Sequence, residues 1–237
     1  MQSYTRRQLK EDKFAESAKG AMQWASGHQQ GTLWAVLIAV AVAALGAGLY
    51  FWHERQSEQA NLALTKAIRT FEARLRPAGT PAGDDLSFNS IAERAKQAEK
   101  ELQAVADSYS MTKAGRIARF MAAAAAAQGG DNASAEKQLK SLADSNNDVA
   151  GLAKMALATL YHSAGRDSDA AKTYKELIDH PTGTVGKAQA QFALAEMYES
   201  TDPKQSEVIY KQIQDENKDT AFAQLAASKV AGAKGKQ

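Results

Sequence analysis

The sequence predicts an all-α protein in which one N-terminal transmembrane helix precedes a solenoid of helical hairpins. Three observations predict this fold class. An uncharged apolar run extends over residues 33–52, and a pattern with a period near 35 residues recurs from residue 111 onward. The 237 residues also include only 4 prolines and are rich in alanine, which is the best helix former. About 185 residues follow the apolar run, enough for a domain with its own core.

The apolar run from Leu33 to Trp52 contains no charged residue and no proline. A helix that rises about 1.5 Å per residue needs roughly 20 residues to cross the hydrocarbon core of a bilayer. Trp34 lies near one end and the aromatic triplet Tyr50 to Trp52 at the other, as expected for rings that favour the headgroup level. A buried core helix is the alternative, but a core helix of this length normally carries a polar stripe. We therefore predict a membrane span.

The residues before the span carry more positive charge than those directly after it. Five cations lie in residues 1–32, whereas Arg55 is the only one in the dozen residues that follow Trp52. The positive-inside rule therefore places the N-terminus in the cytoplasm and the rest of the chain across the membrane. A cleaved signal peptide is the alternative, but the apolar run exceeds the 7–15 residues typical of such peptides. We expect an uncleaved signal anchor.

Two features of the membrane region leave alternatives open. Small residues recur every four positions in the span, at Ala35, Ala39, Ala43 and Ala47. This face either packs against another membrane helix or meets lipid. Residues 1–32 form a basic tail, in which residues 5–26 show a loosely apolar helical side. The tail either lies on the inner leaflet or remains solvated.

Composition excludes several classes of function. The chain has no cysteine, which removes disulfides, thiolate metal sites, cysteine nucleophiles and a lipidated N-terminal cysteine. Residues 33–237 hold 24 acidic and 24 basic side chains, so they lack the basic excess of a nucleic-acid-binding protein. The four histidines are scattered and form no metal-binding or hydrolase motif. We expect no enzyme activity, no cofactor or metal, and no nucleic-acid or small-molecule ligand.

Residues 53–110 are predicted to form an irregular N-terminal pair of helices. Apolar side chains at helical spacing indicate one helix over residues 54–76 and a second over residues 88–109. Between them, prolines and glycines alternate from Pro77 to Gly83, which predicts a loop.

Residues 111–237 contain an internal repeat. A shift of 35 positions aligns the segment that begins near Met111 with the next one without a gap, and a third copy begins near Gly186 after two extra residues. Each unit reads as two helices joined by a short turn, at Gly129, Ala164 and Ser200. A last helix, Thr220 to Val230, is expected to close the array.

The best copy of the repeat runs A-x-x-Y-x-x-x-G-R-x-x-D-A-x-x-x-Y from Ala158 to Tyr174. It resembles the tetratricopeptide repeat, whose helical pairs stack because none can bury its apolar face alone. Ala158 and Ala170 take the two positions at which helices cross most closely, and Tyr161 and Tyr174 fill the space between layers. The first and third copies match less well. The resemblance implies a tetratricopeptide-like solenoid.

The architecture as a whole is similar to that of the ancillary SecYEG translocon subunits of bacteria, the YfgM-like proteins. Both combine a short charged tail, one signal anchor and a degenerate tetratricopeptide domain. Local echoes are Tyr109-x5-Gly115 and the segment from Ala127 to Ala143, which ends in K-x-L-x-S-L-A. The resemblance implies an inner-membrane protein with a periplasmic repeat domain. It would lie beside the translocon and hold periplasmic folding factors near emerging chains.

The first helices of the repeats are expected to line the inner groove of the solenoid. This predicts a protein-binding groove formed by Phe120, Met155, Thr159, Phe192 and Glu196. Such an apolar channel suits hydrophobic segments of other proteins. The alternative is that its three apolar side chains are ordinary core, since one slip of the register would bury them.

The sequence therefore predicts a membrane-anchored helical-repeat adaptor. Its partners are expected to be the translocon, periplasmic chaperones or subunits of an envelope complex, and residues 33–52 are expected to contact lipid. The alternative is a structural component of an envelope complex that oligomerises through its transmembrane helix.

Overall fold

The computed structural model describes residues 29–77, 79 and 86–234, which form nine helices and two short strands. In chain order these are α1 Gln29–Phe71, β1 Arg74–Leu75, β2 Ser87–Phe88, α2 Ile91–Ser108, α3 Lys113–Gln128, α4 Asn132–Ala143, α5 Ala150–Ser163, α6 Asp167–Asp179, α7 Lys187–Thr201, α8 Pro203–Glu216 and α9 Ala221–Lys234. The predicted all-α class is confirmed. The chain divides into two compact units, Met1–Arg55 and Gln56–Gln237.

The described part of the first unit is the N-terminal portion of α1. Every side chain from Leu33 to Trp52 is exposed, and the exposed fraction of Trp34 is 68%. An exposed helix surface that is apolar on all sides needs lipid or another protein to cover it. Among the described helices, α1 alone is long and apolar enough to cross a membrane. The tail helix predicted for residues 5–26 lies outside the described residues.

The end of α1 differs from the prediction. The helix ends at Phe71, five residues before the predicted end, because the chain extends there to form β1. This strand pairs in parallel with β2, with Leu75 opposite Phe88, and the Arg76 amide donates to the Phe88 carbonyl at 2.7 Å. The predicted boundary at residue 76 was therefore wrong.

The start of α2 also lies later than predicted. Phe88 belongs to β2 and is buried, so the helix begins at Ile91 rather than at Phe88. Ser90 caps it: the Ser90 hydroxyl accepts a hydrogen bond from the Glu93 amide at 3.1 Å. A serine at this position satisfies one of the amides that a helix start leaves without a partner.

From α2 to α9, each helix packs against the next one along the chain, and α3 also contacts α5 while α7 contacts α9. Contacts between neighbours, with short connections, are the organisation of a helical solenoid. Two of the turns between helices contain a glycine in a left-handed backbone conformation. Gly130 and Gly165 have φ values of +88° and +73°, a conformation that glycine adopts without a steric penalty.

Two buried clusters hold the second unit together. The alanine cluster joins the end of α1 to α2 and α3, and consists of Ala60, Leu64, Ala67, Ala98, Leu102, Val105, Ala106, Ala114, Ala118, Ala122 and Ala125. The tyrosine cluster joins α3 to α9 around Tyr161, Tyr174 and Tyr210, together with Leu139, Leu142, Leu157, Leu194 and Ile213. Ala158 and Ala170, which the repeat pattern placed at the closest helix crossings, are fully buried.

Candidate functional site

The residues of the predicted groove lie on the first helix of each repeat: Phe120 on α3, Met155 and Thr159 on α5, and Phe192 and Glu196 on α7. The three apolar side chains are half-buried and pack against the tyrosine cluster, whereas Thr159 and Glu196 are exposed. The apolar members therefore combine a contact with the core and a surface that faces outward.

At the C-terminal end of this row, α9 covers part of the groove. The Phe192 ring lies between two others, with centroids 5.4 Å from Tyr210 and 6.1 Å from Phe222. The Lys229 ammonium lies 5.9 Å from the centre of the Phe192 ring. Phe192 therefore packs against two side chains of α9.

The exposed carboxylate of Glu196, at the same end of the predicted groove, forms an ion pair with α9. The Lys229 Nζ lies 3.1 Å from a Glu196 oxygen and 3.0 Å from a Glu199 oxygen. The hydrogen bond to Glu199, together with that to Glu196, raises the pKa of Lys229. The two carboxylates fasten α9 to α7.

In the middle of the predicted groove, the Thr159 hydroxyl makes two hydrogen-bond contacts. The Thr159 hydroxyl lies 3.1 Å from the Met155 carbonyl oxygen and 3.1 Å from the Tyr174 hydroxyl. Burial raises the pKa of Tyr174, so this phenol stays protonated and bonds across the repeat. The free apolar surface of the predicted groove is therefore provided mainly by Phe120 on α3 and Met155 on α5, two helices in contact with each other.

A family model described as "Tetratricopeptide repeat-like domain" matches residues 22–180, more than half of the chain. The chain belongs to the tetratricopeptide repeat-like domain family. Such domains are generally non-catalytic modules for binding other proteins. No curated protein and no solved structure matches the chain.

The tetratricopeptide repeat-like domain offers no evident metal centre in its described residues, since none of its histidines and acids form a group of three that could hold an ion. His162 instead lies 2.5 Å from Asp167, between the Nδ1 and a carboxylate oxygen. This contact links the end of α5 to the start of α6. The sequence patterns had not singled out Asp167.

Sequence reasoning also missed a charged contact between repeats of the domain. The guanidinium of Arg166 lies 4.2 Å from the centre of the Tyr161 ring. It donates to Glu136 on α4 at 2.9 Å and pairs with Asp169 on α6 at 2.6 Å. Hydrogen bonds to Asp169 and then Glu136 raise the pKa of Arg166. The G-R pair in the best repeat copy was the signal from which this contact could have been found.

The small-residue face of the predicted membrane span lies on α1. Its four members, Ala35, Ala39, Ala43 and Ala47, are all exposed. Their spacing places them along one side of the helix. Packing of this face against another helix stays a prediction.

Proposed function

We propose that this chain is a membrane-anchored adaptor whose repeat domain binds other proteins on the periplasmic side of the bacterial inner membrane. The observation that carries the proposal is the exposed, uninterrupted apolar surface of Leu33 to Trp52 in the same chain as a tetratricopeptide repeat-like domain. The helix provides the anchor and the repeats provide the binding surface. Tethering raises the local concentration of every partner that the domain holds.

The charge on the two sides of the span supports the orientation. Residues 1–32 carry five cations, whereas the segment directly after Trp52 carries Arg55 alone within a dozen residues. This bias favours a cytoplasmic N-terminus and an exported repeat domain. The similarity to ancillary translocon subunits supports a position beside the Sec translocon, where the domain would hold periplasmic folding factors close to emerging chains.

The proposed binding surface is the groove of Phe120, Met155, Thr159, Phe192 and Glu196. Half-buried phenylalanine and methionine side chains offer adaptable apolar contacts. Phe120 and Met155 carry most of this surface, because α9 covers Phe192. We expect the groove to take short hydrophobic segments of partner proteins.

Site-specific photocrosslinking in living cells tests the groove. A benzophenone amino acid replaces Phe120, Met155 or Phe192 in the full chain, and the control carries it at Ala133, an exposed position on α4. We expect discrete crosslinked partners from Phe120 and Met155, fewer from Phe192 and none from Ala133. Crosslinks from Ala133 without any from the groove positions would refute this surface.

The second candidate function is assembly of an envelope complex through the membrane helix. It is favoured by the exposed alanine face at Ala35, Ala39, Ala43 and Ala47, because small residues let membrane helices approach closely. Replacement of residues 33–52 by an unrelated apolar helix separates the two functions. An adaptor for soluble partners keeps them after purification in mild detergent, whereas loss of the whole complex favours assembly within the membrane.

A further inference from the structure

The contact of Arg166 with Tyr161 fills a slot between two repeats. The slot is formed where the second helix of one repeat, α4, meets the end of the first helix of the next, α5. Glu136 holds the guanidinium from α4 at 2.9 Å, and Lys140 pairs with the same carboxylate at 2.6 Å. We call this the Tyr161 slot. It contains a cation on an aromatic face with a carboxylate beside it, a favourable arrangement for arginine.

The position equivalent to the Tyr161 slot, one repeat further along the chain, lies between α6 and α7. The register is fixed by buried residues and by helix starts, since Tyr174 corresponds to Tyr210, and Arg166 and Asp202 each immediately precede the second helix of their repeats. On the first helices the register is fixed by the fully buried Ala158 and Ala195, which places Tyr198 at the position of Tyr161. The connection from this tyrosine to the second helix is one residue shorter than in the Tyr161 slot, and Asp202 takes the place of Arg166 at its end. A shift of 35 residues places Ala171 and Lys175 at the positions of Glu136 and Lys140.

The second place has therefore kept its aromatic ring and lost its arginine. Asp202 cannot replace the guanidinium, and its carboxylate accepts the Gln205 amide at 3.1 Å as the cap of α8. In the described part of the chain, no cation stacks on the half-buried Tyr198 ring. What remains is an open cleft of about 660 Å³, the Tyr198 cleft, whose lining includes two lysines together with Asp167, Ala171, Glu176, Asp179, Tyr198 and Asp202.

The charge of the Tyr198 cleft favours a cationic occupant. Its described lining holds four carboxylates and two lysines. Glu176 and Asp179 are exposed on α6, and their side-chain carboxylates make no hydrogen bond or ion pair within the described residues. The excess of carboxylates disfavours an anion and favours a positively charged occupant.

We propose that the Tyr198 cleft binds an arginine side chain of a partner polypeptide. The guanidinium stacks on the Tyr198 ring, as Arg166 does on Tyr161, and its N–H groups donate to the carboxylates of Glu176 and Asp179. This inference rests on the proposed adaptor function and adds the partner's chemistry at a surface separate from the groove. Arginine suits the cleft better than lysine because its planar group both stacks and forms several hydrogen bonds.

Peptide binding to the full chain in neutral maltoside micelles tests this directly. The probe is the peptide Gly-Ser-Arg-Ser-Gly, and its matched control contains citrulline, which has nearly the same shape without the charge. Saturation-transfer NMR should show at least tenfold tighter binding of the arginine peptide. Equal binding of the two peptides, or preference for a phosphoserine peptide, would overturn the proposal.

Two cleft variants and one control locate the site. Ala171→Glu combined with Asp202→Arg rebuilds the Tyr161 slot, so the chain's own arginine should fill the cleft and weaken peptide binding at least tenfold. Glu176→Lys reverses a charge without altering the cap of α8 and should weaken binding several-fold. Asp215→Lys makes the same reversal on the exposed face of α8 and should leave binding unchanged. Undiminished binding by both cleft variants would contradict the assignment.

Purification of partners from cells separates this inference from the proposed function. If the arginine and citrulline peptides bind equally while the wild-type chain still retains partners, the cleft assignment fails and the adaptor function stands. If the wild-type chain retains no partner at all in mild detergent, the adaptor function itself fails.

Discussion

The alanine cluster and the tyrosine cluster of the repeat domain hold neighbouring helices together with side chains of very different size. In the alanine cluster, Ala98, Ala118 and Ala122 are fully buried, so the helix backbones approach closely with little between them. In the tyrosine cluster, the rings of Tyr174 and Tyr210 fill the gaps between helices and are 4% and 3% exposed.

This difference in side-chain size corresponds to two ways of packing neighbouring helices. Close alanine packing leaves no space for a larger side chain, and Gly115 is the extreme case, because a Cβ there would overlap the Tyr109 carbonyl. Tyrosine packing adds polar links at the edge of the core: the Tyr210 hydroxyl donates to Glu199 at 2.6 Å. We therefore expect the first cluster to be sensitive to added volume and the second to lost volume.

Truncation in the tyrosine cluster should have the largest effect. Tyr210→Ala removes a ring that packs on Phe192 and should lower the free energy of unfolding by about 3–5 kcal/mol, the cost of emptying an aromatic site. Urea unfolding of the full chain in detergent, followed by circular dichroism, measures the change. Tyr210→Phe is the matched control: it keeps the ring, loses the hydrogen bond to Glu199 and should cost about 0.5–1.5 kcal/mol. Equal losses in the two variants would show that the ring does not fill the core.

Enlargement in the alanine cluster should have an intermediate effect. Ala122→Leu on α3 forces a larger side chain between closely packed helices and should cost about 1–3 kcal/mol. Ala104 on α2 is exposed, so Ala104→Leu should change stability by less than about 0.5 kcal/mol. The comparison between the two clusters breaks down if the buried alanine accepts leucine as easily as the exposed one.

The smallest expected effect is a pH dependence in the C-terminal part of the domain. Glu216 on α8 accepts hydrogen bonds from Gln212, Lys187 and Gln191, which lower the pKa of its carboxyl from 4.5 to about 2. A lowered pKa means that the charged carboxylate stabilises the fold above pH 4.5 and that this stabilisation is lost as the pH falls toward 2.

Glu216→Gln tests this dependence. The variant should be slightly less stable than the wild type at pH 7, and the difference should shrink between pH 4.5 and 2. Thermal unfolding of both chains across this range provides the measurement. The corresponding change at Asp215, an exposed acid without a hydrogen bond or ion pair among the described residues, should leave the pH dependence unaltered. A difference between wild type and Glu216→Gln that is constant with pH would contradict the assignment.

The amino-acid sequence by itself determined the long apolar helix, the repeats and their closest crossings. Leu33 to Trp52 is recognisable because hydrophobicity is a property of consecutive residues. Ala158 and Ala170 could be placed because the repeat fixes their register, and the turns at Gly129 and Ala164 because turn-forming residues separate the two helices there. These features depend on local pattern alone.

Only the tertiary structure decided how distant residues meet. The helix α1 ends at Phe71 because its continuation pairs with β2, and Phe192 is covered because α9 folds back onto α7 with Phe222 and Lys229. The stacking of Arg166 on Tyr161, and the cleft where no cation of the described residues stacks on Tyr198, likewise depend on contacts between repeats. A periodic pattern shows which face of a helix is apolar, but only the packed chain fixes which side chain of a neighbouring helix fills the space beside it.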